Sequence, residues 1–122
     1  MRIEKDVKLD FKDVLIRPKR STLNSRNEVD VQRSFRFLHT GSNWTGFPLI
    51  AANMDVTGTL AMARGLGRFG ALTALHKHYP VDALAEFFAG PDGAHAFYSI
   101  GTTEADLAKL AKVRQRAPVK LL

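Results

Sequence analysis

The sequence predicts an α/β fold in which parallel strands alternate with helices. Apolar runs that suit buried strands begin at residues 48, 71, 96 and 119, so the pattern repeats every 23 to 25 residues. Between these runs, apolar residues recur at three- and four-residue intervals, which is typical of helices that pack on one face. Residues 1–46 lack this repeat. We therefore predict a strand-rich amino-terminal arm in residues 1–46 and strand–helix units in residues 47–122.

The composition is that of an ordinary folded domain, with 45% hydrophobic and 25% charged residues among 122. Every apolar run is shorter than the roughly 18 residues that a membrane span needs. The start, Met1–Asp6, alternates charges where a signal peptide would be apolar. We expect a cytoplasmic protein without membrane contact. The sequence contains no cysteine, which excludes a disulfide, a thiolate metal site and a cysteine nucleophile within these residues.

The net charge of +6 raises the possibility of an anionic partner, and basic residues cluster at Arg17–Arg20. Acidic residues are interleaved through the same region, and the pattern of a recognition helix or a set of stacking aromatics is missing. We therefore expect no nucleic-acid binding. A solvated basic face or a contact with nucleotide phosphates explains the charge better.

Two segments suggest strands in the amino-terminal arm. Val14–Ile16 is a short β-branched run that ends before Pro18, and residues 29–35 alternate apolar with polar side chains. Gly41–Gly46 is rich in turn-forming residues, so we predict a connector there and place the boundary of the arm at its end.

The first strand–helix unit contains the most informative stretch. Ile50–Ala52 is apolar without alternation, which suits a strand covered on both faces, and Asn53–Asp55 ends it. Thr57–Thr59 supplies hydroxyl caps for a helix that starts near Leu60. Because loops beyond the carboxyl ends of parallel strands carry the chemistry of such folds, Asn53–Asp55 either contacts a ligand or simply caps the helix.

The later units have clear helix boundaries. Pro80 suits a first helical position, and Thr103–Asp106 matches a capping box. Basic residues before Pro118 complement the dipole of the last helix. Three such units and the start of a fourth strand at Val119 fit the beginning of either an open doubly wound sheet or an eight-fold barrel.

Two further motifs carry weaker signals. Gly65–Gly70 has the spacing of a dinucleotide-binding loop, but it ends a helix instead of opening one, so we interpret its glycines as a helix terminus. His76–His78 follows a strand tip, although two histidines without a third ligand are poor evidence for a metal. Lys77 either faces an anionic ligand or is merely exposed.

Three segments together resemble GMP reductase, whose sister family is IMP dehydrogenase: Phe11–Leu23, Ala51–Asp55 and Ala74–Tyr79. The resemblance covers nearly the whole chain and corresponds to the amino-terminal third of a reductase. It implies a TIM (β/α)8 barrel preceded by the arm. It also implies binding of GMP at the carboxyl ends of the strands, NADPH-dependent reductive deamination to IMP and ammonia, and a homotetramer.

The same resemblance implies roles for five residues. Ser25, Arg26 and Lys77 correspond to contacts with NADPH, and Asn53 and Met54 lie under the purine of the substrate. The cysteine nucleophile and the potassium-binding loop of the family correspond to positions beyond Leu122, so no catalytic or metal-binding residue is assigned and the chain by itself is expected to be inactive. Two alternatives are an IMP dehydrogenase-like oxidoreductase that uses NAD, and a nucleotide-binding or subunit-interaction module without catalysis.

Overall fold

The computed structural model of the protein describes residues 6–122. They form two compact units, the first ending at Asp30 and the second running from Val31 to Leu122. The boundary that we predict after Gly46 falls inside the second unit. It separates a strand-rich arm from strand–helix units and does not define a compact unit, so it stays a prediction.

The described part of the first unit contains two short 3-10 turns, Phe11–Asp13 and Arg26–Glu28, and no strand. The strand predicted at Val14–Ile16 is wrong. Leu15 and Ile16 are 97% and 96% exposed, and no neighbouring strand pairs with them. A β-branched run forms a strand only when a partner satisfies its backbone groups.

The second unit begins with an antiparallel hairpin of strands β1 (Arg33–Arg36) and β2 (Asn43–Gly46). The strand predicted over residues 29–35 therefore starts only at Arg33, and the predicted connector over Gly41–Gly46 is mostly strand. Cross-strand pairs explain the difference, since the rings of Phe35 and Trp44 stack with centroids 6.2 Å apart. The sequence pattern within one strand carries no information about such a pair.

A three-stranded parallel sheet follows, in the order β3 (Ile50–Ala51), β4 (Leu72–Leu75) and β5 (Ala96–Tyr98). This confirms the predicted α/β architecture of parallel strands. The fourth predicted strand is present only as a beginning: the Tyr98 amide donates a hydrogen bond to the Leu121 carbonyl at 3.1 Å, and the segment is otherwise irregular.

Helices α1 (Leu60–Gly67), α2 (Val81–Ala89) and α3 (Glu104–Arg114) connect and flank these strands. The predicted start of α1 is confirmed, because the Thr59 hydroxyl accepts a hydrogen bond from the Met62 amide at 3.1 Å. None of the helices in residues 6–122 is long and apolar enough to cross a membrane.

The other helix termini agree with the sequence with one shift. Thr103 and Asp106 form the predicted capping box of α3. Pro80 is the N-cap of α2 and not its first helical residue, and its carbonyl accepts the first intrahelical bond from Leu84. Gly70 follows the end of α1 with φ of 68° and leads into β4, so Gly65–Gly70 is a helix terminus as predicted.

The core lies between the parallel sheet and the helices. Alternate residues of the strands face the helices, and Leu75, Tyr98 and Leu84 are almost completely buried there. On the hairpin side, an apolar cleft of about 340 Å³ adjoins the amino-terminal ends of β3 and β4. Its lining includes Phe35, Phe37, Trp44, Leu49, Ile50 and Leu72.

Candidate functional site

The carboxyl ends of β3 and β4 lie side by side and present the two polar segments that the sequence singles out. Gly58, after the first strand tip, makes this close approach possible, since a Cβ there would lie 2.4 Å from the Ala74 carbonyl oxygen and 2.8 Å from Asn53 Cα. The His76 amide also donates a hydrogen bond to the Gly58 carbonyl at 2.9 Å. Asn53 and Met54 are exposed beside this contact, Met54 by 59%.

The histidines of the second tip are engaged within the protein. His78 Nε2 lies 3.8 Å from Asp55 Oδ1, which joins the two strand tips by an ion pair when the imidazole is protonated. The His76 ring stacks on Tyr79 with centroids 4.2 Å apart. Tyr79 in turn accepts a hydrogen bond from the Leu60 amide at 3.2 Å, which satisfies a free amide in the first turn of α1.

These contacts leave little basis for a metal ion. Within residues 6–122, no three His, Cys, Asp or Glu side chains come close enough together to hold one. The histidines instead order the loop that follows β4, because His76 Nδ1 accepts a hydrogen bond from the His78 amide at 3.3 Å. A structural role for His76 and His78 is therefore the better interpretation.

Lys77 lies between the histidines with an exposed side chain, and its main chain is held from α3. The Lys109 ammonium group donates a hydrogen bond to the Lys77 carbonyl oxygen at 2.7 Å. Lys109 and its role were not predicted from the sequence, because the two lysines are 32 residues apart. The local signals in this region are the segment His76–His78 and the capping box at the start of α3, and neither indicates the contact.

Asp106 is the acidic group of this neighbourhood. Its carboxylate accepts hydrogen bonds from the Thr103 hydroxyl at 2.6 Å and the Thr103 amide at 3.4 Å. The hydroxyl bond contributes most to holding the pKa of Asp106 below its ordinary value, and the charges of Lys77 and Lys109 act in the same direction. Partial loss of water opposes this shift. Asp106 is therefore ionised at neutral pH, beside two cations.

Two neighbours show how tightly this group is placed. A Cβ at Gly101 would lie 2.2 Å from Asp106 Oδ2, so only glycine fits there without displacing the carboxylate. Burial raises the pKa of Tyr98, and the negative charge of Asp106 adds to this shift. Tyr98 thus stays a neutral phenol at the base of the cluster.

Ser25 and Arg26 lie in the first unit. The Ser25 hydroxyl accepts a hydrogen bond from the Asn27 amide at 3.3 Å and caps the short turn that contains Arg26. Both side chains are exposed. Of the five predicted binding residues, the structure brings Asn53 and Met54 to the strand tip next to Lys77, and the roles of all five stay predictions.

Parallel strand–helix units with exposed polar and charged groups at the carboxyl ends of the strands are typical of α/β proteins that bind ligands at that edge. Comparison with curated proteins is more specific. The chain is 50% identical to a GMP reductase of Klebsiella pneumoniae over 121 residues, which are 97% of this chain and 35% of that protein. It is 53% identical to a GMP reductase of Edwardsiella ictaluri over 121 residues, which are again 97% of this chain and 35% of that protein.

A third relative, a GMP reductase of Salmonella arizonae, is 55% identical over 116 residues, which are 93% of this chain and 33% of the relative. No family model matches the chain. The chain spans about a third of the length of the curated relatives that it matches. These similarities confirm the resemblance to GMP reductase that the sequence motifs indicate, over the part of those proteins that the chain spans.

Proposed function

We propose that the chain is the amino-terminal part of an NADPH-dependent GMP reductase, which converts GMP to IMP and ammonia. The observation that carries this proposal is the sequence identity of 50% and 51% with two GMP reductases over 97% of the chain. A cytoplasmic location and a homotetrameric assembly belong to the same proposal.

The proposal includes a TIM barrel. Strands β3, β4 and β5 are parallel neighbours in sequence order, each of β3 and β4 is followed by a helix, and the segment after α3 starts to pair with β5. Such an arrangement is what the first units of a (β/α)8 barrel require. The exposed strand tips then lie at the end of the barrel where active sites form.

Asn53 and Met54 are proposed to bind the substrate. Both are exposed at the tip of β3, and the polarizable thioether of Met54 suits contact with the face of a purine. The amide of Asn53 can both donate and accept hydrogen bonds to the base or ribose. These two residues would orient the nucleotide; no residue of this chain is assigned to proton transfer.

Lys77, Ser25 and Arg26 are proposed to bind NADPH. The cofactor carries phosphates, and the exposed ammonium group of Lys77 at a strand tip fits a phosphate or a ribose oxygen. When bound, NADPH supplies a hydride for the reduction. The residues of this chain would hold and orient it. A potassium ion is implied for the complete family enzyme, and no residue here is assigned to it.

Calorimetric titration with NADPH and with GMP tests the cofactor assignment. Lys77→Ala and Arg26→Ala should each weaken NADPH binding about two- to tenfold, because an exposed charge-assisted bond contributes about 0.5–1.5 kcal/mol. Lys112→Ala, an exposed lysine on α3, is the matched control and should bind like the wild type. If the variants change only GMP binding, the cofactor assignment is wrong.

A second candidate function is a nucleotide-binding or subunit-interaction module without catalysis, which the exposed polar and charged groups at the strand tips would suit equally well. The two candidates separate when the chain is co-expressed with the remaining two thirds of the Klebsiella relative. Formation of IMP by the mixture and by neither part alone supports the reductase. Saturable binding without turnover in the mixture supports the module. Oxidation of IMP with NAD would instead indicate the dehydrogenase.

A further inference from the structure

The contact between α3 and the tip of β4 is specific in its geometry. Lys109 Nζ lies 2.7 Å from the carbonyl oxygen of Lys77, although lysine ammonium groups usually extend into water. Lys109 itself is half-buried, whereas the side chain of Lys77 is exposed. One lysine is thus used to hold the main chain of another.

The Lys109 side chain is in turn guided by its own helix. Asp106 precedes it by three residues and therefore faces the same side of α3, and the two charges attract each other. The Thr103 hydroxyl fixes the Asp106 carboxylate, which occupies the space beside Gly101 that a Cβ there would need. The Lys109 ammonium group therefore bonds the Lys77 carbonyl beside a fixed negative charge.

We propose that Lys109 is a positioning residue, which fixes the main chain of Lys77 and so sets the direction in which Lys77 presents its charge to a phosphate-bearing ligand. This inference rests on the proposed function for its ligand, NADPH, and on the structure alone for its contact. Lys109 acts through Lys77 and does not touch the ligand itself. A bond from α3 also makes the tip of β4 a pre-ordered loop, which reduces the entropy lost when a ligand binds.

The contact is tested without any ligand by NMR measurement of amide hydrogen exchange at His76 and His78. Lys109→Met keeps the length of the side chain and removes the donor. It should speed exchange at these amides about two- to fivefold, since one exposed charge-assisted bond is lost. Lys112→Met on the same helix should leave exchange unchanged, and Lys109→Arg should restore slow exchange. Equal exchange in Lys109→Met and the wild type overturns the inference.

The route through Lys77 is tested by a double-mutant cycle on the affinity for NADPH. Lys109→Met should weaken binding about two- to fivefold in the wild type and have no effect in the Lys77→Ala background. An equal loss in both backgrounds means that Lys109 contacts the ligand itself, and this overturns the positioning role. If the wild-type chain does not bind NADPH, the proposed function fails, while the exchange experiment still decides whether Lys109 orders the loop.

Discussion

Replacement of Gly46 by alanine should destabilise the second unit for a steric reason. Gly46 is the last residue of β2, and a Cβ there would lie 2.2 Å from the carbonyl oxygen of Gly70 and 2.6 Å from the Trp44 ring. The Gly70 carbonyl has little freedom to retreat, because it accepts a hydrogen bond from the Phe47 amide at 2.9 Å. The added methyl group therefore displaces both the Gly70 carbonyl, which breaks this bond, and the indole.

The magnitude follows from these two outcomes. Forcing an extra methyl group into a packed site costs about 1–3 kcal/mol. Loss of the bond between Phe47 and Gly70 adds about 1 kcal/mol. We expect Gly46→Ala to lower the free energy of unfolding by about 2–4 kcal/mol.

The same chemical change at Gly65 is the matched control. Gly65 lies within α1, and a Cβ there would meet no atom within 4 Å. Because alanine favours helix over glycine, Gly65→Ala should raise the free energy of unfolding by about 0.5–1 kcal/mol. Urea unfolding is followed by circular dichroism and by the fluorescence of Trp44, the single tryptophan. Shifts of the same sign in both variants, or no shift for Gly46→Ala, would refute the reasoning.

Three further outcomes are expected. The pKa of Asp106 is lowered in the folded state, so its stabilisation of the α3 cap is complete above the ordinary carboxyl pKa and is lost as the pH falls through the lowered value. Asp106→Asn should remove this acid step from the circular dichroism of the helices, and an unchanged titration would contradict the assignment. The purified chain should form no IMP from GMP and NADPH, since it has no cysteine to form a covalent adduct; turnover that follows the protein through a second purification step would overturn this. The chain should self-associate in sedimentation experiments through exposed strand edges and its apolar cleft. Ile50→Lys, at a cleft residue that is 54% exposed, should reduce the association, and a monomer at all concentrations would contradict the prediction.

The strand–helix units could be predicted because their signals are local. The run that ends at Asn53 and the capping box at Thr103 are each complete within a few neighbouring residues, and the structure forms both as expected. The pattern predicts part of β1 but a connector in place of β2, because β2 depends on pairing of Trp44 with Phe35 across the turn. For the same reason, the sequence does not predict the contact of Lys109 with Lys77. The two residues are 32 positions apart, and only the fold brings Lys109 to the tip of β4.

The hairpin adjoins the starts of β3 and β4, whereas the polar cluster lies beyond their ends. Substitutions in the two places therefore have separable consequences under mutation and selection. A change that loosens the packing of Trp44 lowers the fraction of folded protein, but it leaves the charges around Lys77 in place. A library randomised at the hairpin can consequently be sorted by protease resistance alone, and its survivors should retain whatever ligand preference the opposite end encodes.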